Sequence, residues 1–142
     1  MSSLFAYGTL MCEDIMRDVS GHLGAPIPAN LSDHLRLRVS GEDYPGIVRK
    51  TGRQVNGVVY QELANTAWER LDRFEGEMYQ RVPVRVTLQS GSILQAQTYL
   101  VHPDFVYCLA DSEWDFAHFL AHGKTRFERE YKGYGHPPAD ED

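Results

Sequence analysis

Short runs of alternating apolar and polar residues recur along this chain, and they confine it to sheet-rich architectures. Leu35, Leu37 and Val39 alternate with Arg36, Arg38 and Ser40. Val82, Val84, Val86 and Leu88 alternate with polar neighbours, Ser90-Gly91-Ser92 turns the chain, and Ile93 to Val101 supplies a hairpin partner. A period of two places one set of side chains on a single face of a strand. Val55 to Leu63 reads as a further strand, with Gly57 a bulge or a point of close approach. Tyr44-Pro45-Gly46 is a turn signal, after which Ile47-Val48 starts another strand. Pro26 and Pro28 mark an extended connector. The first strand, Leu4-Phe5-Ala6-Tyr7, is apolar throughout, as a buried strand is, and it ends at Gly8-Thr9. Periodicity does not decide whether it pairs in parallel.

Three segments carry a helical stripe instead. Met11 to Val19 places Met11, Ile15, Met16 and Val19 on one side. Asn65 to Phe74 is the clearest helix of the first hundred residues. Its Thr66 and Glu69 have capping-box spacing, Ala67, Leu71 and Phe74 form its stripe, and Gly76 stops it. Met78 continues the stripe beyond the helix end. Trp114, Ala117, Leu120, Ala121, Phe127 and Tyr131 predict a long amphipathic helix over Ser112 to Tyr131, capped by Ser112. The order of elements predicts an α+β domain, mainly antiparallel and barrel-like. It spans residues 1–135, followed by an acidic, proline-broken tail over 136–142.

Composition narrows the function. With 42% hydrophobic and 24% charged residues, the 142-residue chain is not of the disordered class. A net charge of −6 and the lack of a Lys/Arg block argue against nucleic-acid or anionic-membrane partners. No run approaches the ~20 apolar residues that span a bilayer. The N-terminus does not read as a secretory signal, so a cytoplasmic location is expected. Cys12 and Cys108 then read as reduced thiols, a disulfide between them being the alternative.

Two places carry chemistry. Tyr7-Gly8-Thr9-Leu10 follows the first strand, and its glycine allows a sharp turn or the close approach of a ligand. If a helix starts near Met11, loop amides form a nest for a carboxylate or phosphate. A plain strand-to-helix turn is the alternative. The second place runs from Leu71 to Arg81. Leu71 and Phe74 point inward there, which sets Glu75 beside the buried face near a helix C-terminus. The macrodipole and partial burial both raise the pKa of a carboxyl so placed. Arg73 or Arg81 opposes that shift if either pairs with it, and a solvated, arginine-paired helix end is the alternative.

Taken together, Phe5-Ala6-Tyr7-Gly8-Thr9-Leu10-Met11 and Leu71-Asp72-Arg73-Phe74-Glu75-Gly76, followed by Tyr79 and Arg81, resemble the gamma-glutamylcyclotransferase-like family. The resemblance is greatest to its branch of gamma-glutamylamine cyclotransferases and plant avirulence-induced proteins. Tyr44 to Val48 and Val55 to Tyr60 fall where that family carries similar segments, so the resemblance covers residues 4 to about 101. It implies a small mixed, mainly antiparallel β-barrel flanked by helices. It also implies a small γ-glutamyl substrate whose α-carboxylate end sits on Tyr7, Gly8, Thr9 and Leu10. Glu75 matches the catalytic glutamate, and Tyr79 and Tyr44 are pocket-lining candidates. In the implied reaction the substrate's own α-amine attacks its γ-carbonyl, giving 5-oxoproline and a free amine, with no metal or organic cofactor.

Other constellations fall away. His118 and His122 share a helix face but lack the Glu of H-E-x-x-H and a third ligand. Neither cysteine sits in a nucleophile motif. Phe116, Phe119 and Phe127 read as core or interface. The competing reading of the whole is a binding or interaction domain on the same fold without turnover. The amine half of the substrate and the oligomeric state are not encoded in any motif.

Overall fold

A computed structural model describes residues 2–135. Its first strand, β1 (Ser2–Ala6), is buried on both faces, which is why its sequence shows no alternation. Phe5 packs with Leu31, Val55, Val59 and Val86, while Leu4 and Ala6 face Met16, Tyr60, Leu63 and Leu71. β1 therefore separates the barrel interior from a layer of helices.

β2 (Ile27–Val39) and β3 (Pro45–Leu63) form a long hairpin; β4 (Tyr79–Leu88) and β5 (Ile93–Val101) form a second. The strands run in the order β3-β1-β5-β4-β2, and β2 pairs back onto β3 to close a five-stranded barrel. β1 pairs in parallel with β5 and antiparallel with β3, so the barrel is mixed but mainly antiparallel. A short β6 (Leu109–Glu113) adds to the far half of β2.

The hairpin corrects two expectations. Pro28 lies inside β2, opposite Val58, rather than in a connector. It sits near the strand start, where a missing N–H costs little. The segments at Ile47-Val48 and Val55 to Leu63 are one strand paired along β2; residues 49–54 between them are exposed and carry no apolar signal in the sequence. The register shifts between Ser32 and His34, at Asp33, which adopts φ 61° and accepts the Gly52 N–H at 3.0 Å.

α1 (Glu13–Ser20) follows a 3₁₀ turn at Thr9–Met11 and buries Ile15, Met16 and Val19. α2 (Asn65–Glu75) buries Ala67, Trp68 and Leu71 and ends at Gly76, whose φ of 73° suits glycine. No capping box forms. The helix begins at Asn65, so Ala64 holds the cap position and Thr66 is already inside the first turn.

The last helix also departs from expectation. Ser112 belongs to β6 and bonds Arg38 at 3.0 Å. Asp115 is the cap, accepting the His118 N–H at 2.8 Å. α3 (Phe116–His118), a π turn (Phe119–Gly123) and α4 (Lys124–Gly135) continue one another. Phe119, Gly123 and Phe127 face inward, and Ala117, Leu120 and Ala121 face out. A spacing of four exceeds the α-helical repeat of about 3.6, and the wider π turn absorbs the difference. Phe119 and Phe127 are core residues, and both cysteines are free thiols. The predicted tail over 136–142 and the side chain of Tyr131 lie outside the described residues.

Candidate active site

The turn that leaves β1 and the end of α2 meet at one cavity of about 110 Å³. Tyr7, Gly8, Thr9, Leu10, Glu75, Tyr79 and Tyr44 all line it, so every residue expected at the site is gathered there. Leu4, Phe5 and Ala6 of β1 and Pro45, Phe74, Met78, Tyr99 and Phe127 complete its wall.

The turn is fixed through its carbonyls. Arg36 Nη1 donates to the Tyr7 carbonyl at 2.7 Å and to the Asn56 carbonyl at 3.0 Å, with its guanidinium 5.2 Å from the Trp114 ring centroid. The Gly8 carbonyl accepts from Met11 N–H at 2.9 Å and the Thr9 carbonyl from Cys12 N–H at 3.1 Å. The Tyr60 hydroxyl donates to the Leu10 carbonyl at 2.7 Å. In a trans peptide the carbonyl and the following N–H point in opposite directions. The N–H groups of Gly8, Thr9, Leu10 and Met11 therefore face away from the partners of the carbonyls before them. Gly8 is required by space: a Cβ there would lie 2.7 Å from Pro45 Cδ.

Tyrosines stiffen the opposite wall. The Tyr7 hydroxyl donates to the Tyr99 carbonyl at 2.6 Å, and the Tyr79 hydroxyl to the Pro45 carbonyl at 2.7 Å. Burial holds both phenols well above their ordinary pKa, so they stay protonated and act as donors.

Glu75 is the last residue of α2 and keeps only part of its surface open. Burial, and secondarily the charge of Asp72, push its carboxyl up to about 8. For Arg81 the paired alternative fails on geometry. Arg81 stacks over the Trp68 ring at 4.6 Å, and its Nε lies 3.3 Å from Asp72 Oδ1. That same Asp72 oxygen accepts the Tyr99 hydroxyl at 2.7 Å. Asp72 lay within the motif read from the sequence, but its role did not. Tyr99 and Phe127 had only strand and helix periodicity as signals, and Arg36 sat on the polar face of a strand.

Among the described residues, no group of three or more His, Cys, Asp or Glu side chains is placed to hold a metal ion. His118 and His122 lie side by side on the exposed face of the last helix, ring centroids 4.7 Å apart. No described helix is long and apolar enough to cross a membrane.

The chain and its fold are similar to known proteins. Residues 4–116 match the family described as gamma-glutamyl cyclotransferase, AIG2-like. AIG2-like protein D of Arabidopsis thaliana is 33% identical over 102 residues, covering 70% of this chain and 67% of that protein. A solution structure from Arabidopsis thaliana has a TM-score of 0.67 at 26% identity, over 94% of this chain and 89% of that one. A gamma-glutamyl cyclotransferase structure has a TM-score of 0.63 at 23% identity, over 71% of this chain and 66% of that one, a likeness of fold. The chain thus belongs to the AIG2-like gamma-glutamyl cyclotransferase family.

Proposed function

We propose that this protein is a cyclotransferase that releases 5-oxoproline and a free amine from a small γ-glutamyl substrate. The observation that carries the reading is Glu75, a carboxyl raised to about 8 at the wall of a cavity that also holds the Tyr7–Leu10 turn. An amine attacks only when unprotonated, so cyclisation needs a base. The α-amine of a γ-glutamyl group lies beside its own α-carboxylate and is largely protonated at neutral pH, so a carboxylate whose pKa is raised toward that range is the better acceptor.

The steps balance without a co-reactant. The α-amine nitrogen bonds to the γ-carbonyl carbon, and Glu75 takes the proton it sheds. The bond from that carbonyl carbon to the departing nitrogen then breaks, and Glu75 returns the proton to the departing nitrogen. The amides of the Tyr7–Leu10 turn receive the α-carboxylate, which holds the chain folded for attack. The substrate supplies its own nucleophile, so neither cysteine is needed; burial pushes the Cys12 thiol up to about 11.

Incubation with a panel of γ-glutamyl amines and amino acids, followed by mass spectrometry, tests this. 5-Oxoproline is the expected product. Glutamate in its place means that water attacked, and no product from any member of the panel leaves a binding domain without turnover.

A further inference from the structure

The family match ends at residue 116, yet the helix beyond it supplies part of the cavity wall. Phe127 of α4 is buried and meets Phe74 edge-on, ring centroids 6.3 Å apart at 77°. It also meets Phe119 at 5.9 Å and 73°. The helix is fastened in the turn just before this contact. Lys124 Nζ lies 2.9 Å from Asp14 Oδ2 on α1, and Arg126 Nε donates to Asp43 Oδ2 at 2.8 Å. Gly123 lets the helix come close, since a Cβ there would lie 3.0 Å from Asp43 Oδ1. Asp43 immediately precedes Tyr44 and Pro45, which line the same cavity.

The lining divides by chemistry. The Gly8–Leu10 backbone, Glu75 and the tyrosine hydroxyls are polar; Phe74, Met78 and Phe127 are apolar, as are Leu4, Phe5 and Ala6 of β1 and Pro45. Among the described lining residues, Glu75 alone carries a carboxyl, amine or guanidinium. A γ-glutamyl group brings a carboxylate and an amine, and these claim the polar side. The apolar side is left for the substituent on the departing nitrogen. We infer that Phe127 is a specificity-determining residue whose ring sets how bulky an apolar substituent the departing amine carries. This rests on the cyclotransferase reading of the cavity.

The test compares γ-glutamyl-methylamide with γ-glutamyl-benzylamide in the full chain. Phe127→Ala raises the benzyl-to-methyl ratio of kcat/KM by about tenfold or more, the scale on which pocket space discriminates apolar groups. Phe127→Leu, which keeps an apolar contact with Phe74, raises it less, and Phe127→Trp lowers it. A merely structural role lowers both substrates alike; an unmoved ratio overturns the inference. The same pair is titrated calorimetrically against Glu75→Gln with and without Phe127→Ala, where the affinity ratio moves the same way. Binding that shifts without wild-type turnover overturns the cyclotransferase reading and keeps the wall. Turnover with unmoved ratios overturns the wall alone, and no binding of either compound overturns both.

Discussion

Asp72 and Glu75 stand three residues apart on α2, and the molecule treats them differently. The outer carboxylate receives a hydroxyl from Tyr99 on β5 and a guanidinium from Arg81 on β4. Glu75 faces the cavity, where burial and the charge of Asp72 both favour its protonated form. Arg81 is one of the two cations that a sequence reading offers to Glu75, yet Asp72 and Trp68 hold it. A carboxylate's task is thus set by what the sheet behind the helix brings to it. Two acidic residues in one hexapeptide end in different settings, Asp72 bonded to Tyr99 and Arg81 and Glu75 at the cavity wall.

The contrast fails first at Glu75 if it is wrong. Glu75→Gln keeps the shape and removes the base, so kcat falls by about a hundredfold or more, read as 5-oxoproline formed. Gly8→Val comes next. Its branched side chain drives into Pro45, 2.7 Å from where the Cβ would sit. Ligand affinity falls, measured by calorimetry, and overpacking costs about 1–3 kcal/mol of stability in denaturant melts.

The pH dependence has two signs. As base, Glu75 must be ionised, so kcat/KM rises as pH climbs toward about 8. Stability runs the other way. The folded carboxyl holds a proton that the unfolded chain releases above about 4.5, so its contribution is fully present below that value. It is lost as pH rises to about 8, and Glu75→Gln gains in melting temperature relative to wild type across that window. Asp72→Asn has a smaller effect, since Asp72 is the lesser of the two causes. It moves the rising limb of kcat/KM to lower pH. The smallest effect is at Lys124→Met, which breaks a partly exposed pair with Asp14 and costs about 1 kcal/mol in thermal melts.

What was legible in the sequence follows from how local each signal is. β4 shows alternation because one of its faces is wet, and the Tyr7–Leu10 turn and Glu75 stand in motifs that a family shares. The barrel's closure through β2 and β3 was not readable strand by strand, because the middle of β3 is solvated on both faces. Thr66 and Ser112 had capping chemistry but the wrong register, and Ala64 and Asp115 took the cap positions. Leu120 fits an α-helical stripe, and the π turn rotates it outward to 47% exposure. Tyr99–Asp72 and Phe127–Phe74 join residues 27 and 53 positions apart, so no spacing rule exposes them.

Titration of the Glu75 side-chain carboxyl by carbon-detected NMR, assigned by the resonance lost in Glu75→Gln, asks whether the protein has built this base. A midpoint near 8 is the expected result. A midpoint near the ordinary 4.5 contradicts it, because the cavity would then hold a solvated carboxylate of the same kind as any on the surface.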